Sequence, residues 1–254
     1  MTSEPFPPQD QVSVNVKIES KSFNLTFQAT LPTRRTSAKE LLPLAWALSN
    51  TIVNEACRSV EQAGEKISCT HGCGACCRNL VAISQIEARH ISDIIAAFPE
   101  PRRLIIQKRF QHAHQQLSEA GYLEKLENFD SWTGDDYKSM VGSYFSLGIP
   151  CPFLEDESCS IYEDRPITCR EFLVTSPPEF CAKLGSSGVR QVNLPLRLFN
   201  AVARWQVPPQ GVFLERWVPL ILAPVWSESN PDYQTPKTGM ELLQELLTCI
   251  DQSG

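Results

Sequence analysis

Hydrophobic and polar residues alternate strictly over two stretches near the start of the chain. Val12, Val14, Val16 and Ile18 share one face. After a polar turn at Glu19 to Ser22, so do Phe23, Leu25, Phe27 and Ala29. A period of two marks a half-buried strand, so the pair predicts a β-hairpin with one apolar side. Two strands alone are marginal in water, so that side must lie on helices. Residues 1–10, with Pro5, Pro7 and Pro8, read as a disordered tail.

The period then changes to that of a helix. Leu41, Leu44, Leu48, Ile52, Ala56, Val60 and Ala63 predict a long helix over 38–63, capped by Ser37, kinked near Pro43 and ended by Gly64. Ser84 with Glu87 three residues on is a capping box and predicts a second helix to about Phe98, stopped by Pro99. A third begins near Pro101 and ends before Gly121. Its inner stripe is Ile105, Arg109, Phe110, Ala113 and Leu117, with Arg109 along the edge. A fourth covers Asp135 to Leu147, ended by Gly148. Residues 149–190 are loop-rich. Helical spacing returns at 194–205, weakly at 212–223 and clearly at 238–250. The expected fold is mainly α with a small N-terminal β-hairpin: one helical domain over 11–254, without repeats, carrying two cysteine-rich metal-binding loops.

Composition narrows the classes. The chain has 254 residues, 42% of them hydrophobic, which suffices for a real core. Its net charge of −6 argues against a nucleic-acid partner or an anionic membrane surface. The start, Met-Thr-Ser-Glu-Pro, shows no basic or apolar leader, and the apolar run Trp217 to Trp226 is short and broken by Pro219 and Pro224. A cytoplasmic protein is expected, in a compartment where thiols stay reduced.

Ten cysteines then need explaining. Cys57 and Cys249 fall among apolar residues at helical spacing, where free cysteine packs as a small hydrophobe. The other eight fall in loops. Cys69, Cys73, Cys76 and Cys77 lie within nine residues; Cys151, Cys159, Cys169 and Cys181 follow in the second loop region. Helix packing does not explain such a cluster. Gly72 and Gly74 let the backbone fold tightly enough for several sulfurs to face one point. Soft thiolates suit zinc or an iron–sulfur cluster, 4Fe–4S being favoured if the metal is iron. Redox disulfides are the weaker alternative, because Cys76 and Cys77 are adjacent and bridge only with strain. Adjacent cysteines also point in different directions, so they more naturally serve two ions, or a cluster and another site. A centre held by four thiolates is usually net negative. Arg78, Arg165 and Arg170 are therefore candidate donors to sulfur.

These blocks resemble a known group. Cys73-Gly-Ala-Cys76-Cys77-Arg78, then Cys151-Pro-Phe-Leu, Cys159-Ser-Ile-Tyr, Arg165-Pro and Cys169-Arg170-Glu-Phe172, are similar to the YkgJ-like cysteine-cluster family, described as zinc- or iron-chelating with a CxxCxxCC signature. The resemblance covers residues 69–181 and implies metal chelation by these cysteines. One position departs from it: the family's first cysteine falls on Thr70, whereas this chain has Cys69, with His71 as a competing ligand. A flagellin lysine N-methylase is similar to the family in its cysteine blocks, so the resemblance also admits a protein or peptide substrate.

Three functions remain open: a metal-binding or redox module, an iron–sulfur enzyme that modifies a peptide or protein (N-methylase-like or dependent on S-adenosylmethionine), and a structural zinc module for protein interaction. Cys69-x3-Cys73-x2-Cys76 has the spacing of a radical-SAM loop, but few strands exist to build that barrel. Hydrolase and nucleotide motifs are absent. His90, His112 and His114 read as ordinary polar residues, and Arg102, Arg103, Lys108 and Arg109 as a solvated helix face with salt bridges. Phe153 and Tyr162 are expected to form a small local core under the loops.

Overall fold

The computed structural model describes residues 10–19, 24–183, 188–206 and 217–251. The expected tail up to residue 9, most of the hairpin turn with Phe23, and much of the weak stretch at 212–223 lie outside these. Strands β1 (Gln11–Glu19) and β2 (Asn24–Pro32) form the antiparallel hairpin, with Val16 opposite Phe27 and Ile18 opposite Leu25. Val16, Ile18, Ala29 and Leu31 are buried, while Val12 is exposed.

After β3 (Arg35–Thr36), a 3-10 turn at Ala38–Leu41 leads into α1 (Leu42–Gln62). Two expectations are corrected here. Ser37 precedes the turn with extended backbone but makes no capping bond through its side chain. Pro43 sits in the first turn of α1, where its missing N–H costs nothing, so the change from 3-10 to α geometry replaces the expected kink. Gly64, with φ +81°, follows the helix end.

Next come β4 (Ala82–Ser84) and α2 (Gln85–Ala97). The Glu87 N–H donates to Ser84 Oγ at 3.2 Å and the Ser84 N–H to the Glu87 carboxylate at 3.0 Å, completing the expected capping box. Helix α3 (Glu100–Glu119) has Pro101 in its first turn. Its buried stripe is Ile106, Phe110, Ala113 and Leu117. Ile105 is half exposed, because four residues back from Phe110 is Ile106, and Ile105 lies about 100° away round the helix. A short α4 (Leu123–Glu127) was not anticipated. Helix α5 (Gly134–Ser146) is capped by Thr133 and followed by Gly148 at φ +63°.

The cysteine-rich second region holds β5 (Leu154–Glu155), β6 (Ser158–Cys159), α6 (Ile167–Glu171) and α7 (Pro178–Cys181). Then follow α8 (Leu198–Arg204), β7 (Trp217–Pro219), α9 (Ala223–Ser229), β8 (Lys237–Thr238) and α10 (Gly239–Asp251). The sheets among the described residues are all two-stranded antiparallel pairs: β1–β2, β3–β8, β4–β7 and β5–β6. They make no barrel. None of the described helices is long and apolar enough to cross a membrane.

Three apolar clusters organise these elements. The first joins the hairpin to α1, α8 and α10 through residues such as Leu31, Ile52, Leu198 and Leu246, and takes in Ile167. The second gathers Ile91, Leu117, Leu126, Tyr144, Phe153 and Val218 from α2 to β7. The third is small, built from Val53, Ala56, Val192 and Leu194. Each large apolar side chain so buried contributes about 1.5–3 kcal/mol. The cysteine loops lie where the clusters meet. Ile167 belongs to the first, Cys151 and Cys159 pack on the second, and Cys57, Ile67 and Leu173 pack on the third.

Candidate metal centre

The first cysteine loop follows α1, and glycine sets its path twice. Gly72 takes φ +87°, a left-handed conformation that side chains disfavour. Gly74 is buried against the second loop: a Cβ there would stand 2.6 Å from Leu154 Cδ1 and 2.7 Å from the Glu157 carbonyl oxygen. The Cys151 N–H donates to the Cys77 carbonyl at 2.7 Å, so backbone joins the two cysteine groups directly.

The β5–β6 hairpin turns on Asp156 and Glu157, at φ +48° and +57°. Both are left-handed, as a two-residue hairpin turn of the matching twist requires. Cations hold this hairpin from outside. Arg78 reaches the Gly74 carbonyl at 3.3 Å and the Glu157 carboxylate at 2.5 and 3.0 Å. Arg109 bridges the Pro152 carbonyl and Glu155, both at 3.1 Å, and Arg102 donates to the Ser160 carbonyl at 3.0 Å. The Arg109–Glu155 ion pair fits the salt-bridged face expected of this helix, and beyond that expectation Arg102 and Arg109 also donate to carbonyls of the second cysteine loop. Periodicity shows which side of a helix is polar, not which distant loop lies against it.

Cys169 is carried by α6, whose ends are tied by buried carboxylates. Glu87 Oε1 accepts the Ile167 N–H at 2.7 Å, and the Thr168 hydroxyl donates to the Ala82 carbonyl at 2.6 Å. Glu171 in turn accepts the Leu198 N–H at 2.7 Å and the Phe199 N–H at 3.4 Å, at the start of α8. Burial pushes the Glu171 carboxyl up to about 7, against the downward pull of those two N–H groups. Arg170 is buried and fully engaged. It donates to the carbonyls of Arg165 (2.8 Å) and Glu163 and to Asn50 (3.2 Å), and its guanidinium lies 4.9 Å from the centre of the Trp46 ring. Beyond α6, the Ser68 N–H donates to the Val174 carbonyl at 2.9 Å, and the Val174 N–H to Cys69 Sγ at 3.4 Å.

All ten cysteines are free thiols of intermediate burial. Cys76 is the common neighbour: ionising it would disfavour the thiolate forms of Cys69, Cys151, Cys159, Cys169 and Cys181. These electrostatic effects fall into two groups. Cys181 feels Cys69 and Cys73, and Cys169 feels Cys151 and Cys159. Cys77 hydrogen-bonds with Cys76, which, with burial, pushes the Cys76 thiol far up. Desolvation raises Cys151 to about 12 and Cys181 to about 11, and raises Cys69, Cys159 and Cys169 as well. Among the described residues no three His, Cys, Asp or Glu side chains converge closely enough to hold an ion. The thiols are thus gathered as protonated neighbours. The soft donor set suits zinc or iron, and coordination requires the side chains to turn inward and lose their protons.

The remaining candidates are also placed. Tyr162 lies between His71, at 4.5 Å between ring centres, and the Arg165 guanidinium, at 3.8 Å. Tyr162 is only half-buried, so the expected local core reduces to Phe153, packed edge-on against Phe110 at 5.6 Å. Burial, then Glu61 and Cys69, raise the Cys57 thiol. Sequence reasoning missed Glu87 as the cap of α6, although the capping box had drawn attention to it. It also missed Glu157 and Val174, which carried no local signal.

Residues 68–184 match the CxxCxxCC family model, described as a "putative zinc- or iron-chelating domain". The hairpin, α1 and everything from α8 onward lie outside the matched segment. No curated protein and no solved structure matches the chain.

Proposed function

We propose, on the premise that this chain carries a domain of the CxxCxxCC family over residues 68–184, that the domain chelates zinc or iron through its eight loop cysteines and serves as a metal-binding or redox module. Cys69, Cys73 and Cys181 form one ligand set, and Cys151, Cys159 and Cys169 the other. Cys76 stands between them, with Cys77 beside it. The observation that carries this reading is the direct joining of the two cysteine groups, by the Cys151 N–H to Cys77 carbonyl bond of 2.7 Å and by Gly74 packed against Leu154 and the Glu157 carbonyl.

The physical argument concerns cost. Gathering eight free, partly desolvated thiols brings groups together whose ionised forms repel one another. A helical scaffold has no packing need for this. A thiophilic cation removes the cost, because it takes up the thiolate charge and is bound more strongly by several ligands held ready. The arrangement leaves zinc, iron and an iron–sulfur cluster as chemically suited occupants. The protein is expected to act in the cytoplasm, where thiols stay available.

The test is metal and acid-labile sulfide analysis of protein purified without oxygen. Iron with sulfide and a brown colour supports an iron–sulfur centre. Colourless protein with about two zinc ions per chain supports a structural module. Protein that retains neither metal after reconstitution overturns the proposal.

A further inference from the structure

We infer that Arg165 donates N–H···S hydrogen bonds to the thiolates of the loaded centre, and so sets both metal retention and the electronic character of the metal–sulfur bonds. This rests on the proposed metal centre. Three arginines stand beside the cysteines, and the structure separates them. Arg78 is committed to Glu157 and the Gly74 carbonyl. Arg170 is committed to two carbonyls, Asn50 and the Trp46 ring. Arg165 has its guanidinium against Tyr162 at 3.8 Å, but its Nε is buried with no hydrogen-bond partner among the described residues.

A buried guanidinium N–H without an acceptor is unfavourable, and native structures rarely keep one without a reason. The surroundings supply the reason. Tyr162, under the guanidinium, packs edge-on against His71 at 4.5 Å between ring centres, and His71 lies between Cys69 and Cys73. Arg165 therefore stands at the first cysteine loop while its own segment joins Cys159 to Cys169, and its charge favours the ionised forms of Cys69, Cys76 and Cys159. As neutral thiols these are weak acceptors. As thiolates on a metal they are strong ones and carry excess negative charge. Arginine suits the role because it does not lose its proton and presents several donors in a fixed plane. The position is also held rigidly. Tyr162 lies under the guanidinium, Pro166 follows, and the Arg165 carbonyl is fixed by Arg170 Nε at 2.8 Å.

The test uses Co(II) as the probe ion in the full chain, because thiolate-to-cobalt charge-transfer bands report the electron density on sulfur. Arg165→Met removes the donors and the charge, Arg165→Lys keeps the charge without the planar fork, and Arg78→Met is the control. With Arg165→Met, the charge-transfer bands move to lower energy and chelator-driven release quickens by about tenfold or more, the size expected for a lost charge-assisted bond. Arg165→Lys falls between this variant and the parent. Arg78→Met leaves the band energies in place. Arg165→Met that binds the same amount of cobalt, with parental bands and release, overturns the inference while the metal centre stands. If Arg165→Met does not fold, parental bands in Arg165→Lys overturn it equally. A parent chain that takes up no cobalt fails earlier, at the metal-binding reading itself.

Discussion

The Glu87 carboxylate accepts the backbone N–H of Ile167 at 2.7 Å while also closing the capping box of its own helix at Ser84. One buried side chain thus starts two helices that lie far apart in sequence. The second, α6, carries Cys169. Glu171 at the end of α6 repeats the device by accepting N–H bonds at the start of α8. The cysteine loop is therefore positioned by carboxylates that look, in sequence, like ordinary helix residues.

Removing Glu87 should damage both stability and metal loading. Glu87→Ala leaves the Ile167 and Ser84 N–H groups without their acceptor and should cost about 2–3 kcal/mol or more. Glu87→Gln keeps one acceptor oxygen and should cost less. Urea midpoints of the two variants and the parent check the order, and metal content should fall in the same order.

Gly74 and Gly72 should respond differently to alanine. At Gly74 the new Cβ meets the Glu157 carbonyl at 2.7 Å, and a backbone atom cannot turn aside. The two loops must separate, and bound metal should drop severely. At Gly72 nothing lies within 4 Å of the added Cβ, so only the positive φ is strained. That costs about 1 kcal/mol, with metal content largely kept. Metal analysis beside thermal melting distinguishes the two.

The cysteine substitutions should also be unequal. Cys73→Ser and Cys169→Ser each weaken one ligand set and should lower metal content sharply. Cys76→Ser touches both sets and should lower it most. Cys57→Ala should leave it intact, because Cys57 packs against Val53, Ala56 and Val60 on the third cluster. Equal metal content in all four would contradict the ligand assignment.

Metal binding should release protons. Desolvation holds Cys181 up to about 11 and Cys151 up to about 12, so both are protonated at neutral pH. Each thiol recruited as a ligand should release close to one proton, visible as a buffer-dependent heat in calorimetry, and affinity should rise with pH. The sign for the metal-free chain is opposite. An acid whose folded pKa is raised favours the folded state below the unfolded pKa, and that contribution fades as pH climbs to the folded value. Metal-free protein should therefore lose stability between pH 9 and about 12, whereas loaded protein should resist that loss. Urea titrations across that window, with and without metal, check it.

Regular periodicity was enough to read the helical body, the hairpin and the capping box at Ser84, because those signals are local: every residue needed lies within a few positions of the next. The eight loop cysteines stood out for a similar reason, since no helix or strand pattern accounts for them. The β3–β8 and β4–β7 pairs gave no such signal. Two or three residues are too few to show alternation, and their partners lie far along the chain. The α3 stripe runs through Ile106 rather than Ile105, as the helical spacing from Phe110, Ala113 and Leu117 itself requires. At the metal centre, composition pointed to thiolate chemistry, but the roles of the arginines followed from distances between segments remote in sequence. Arg78 is engaged by Glu157, Arg170 by carbonyls and Trp46, and Arg165, over Tyr162, keeps a buried donor without a partner among the described residues. A side chain's chemistry is written in its identity. Its partner is set by how the chain folds back, because hydrogen bonds and charges act across space rather than along sequence.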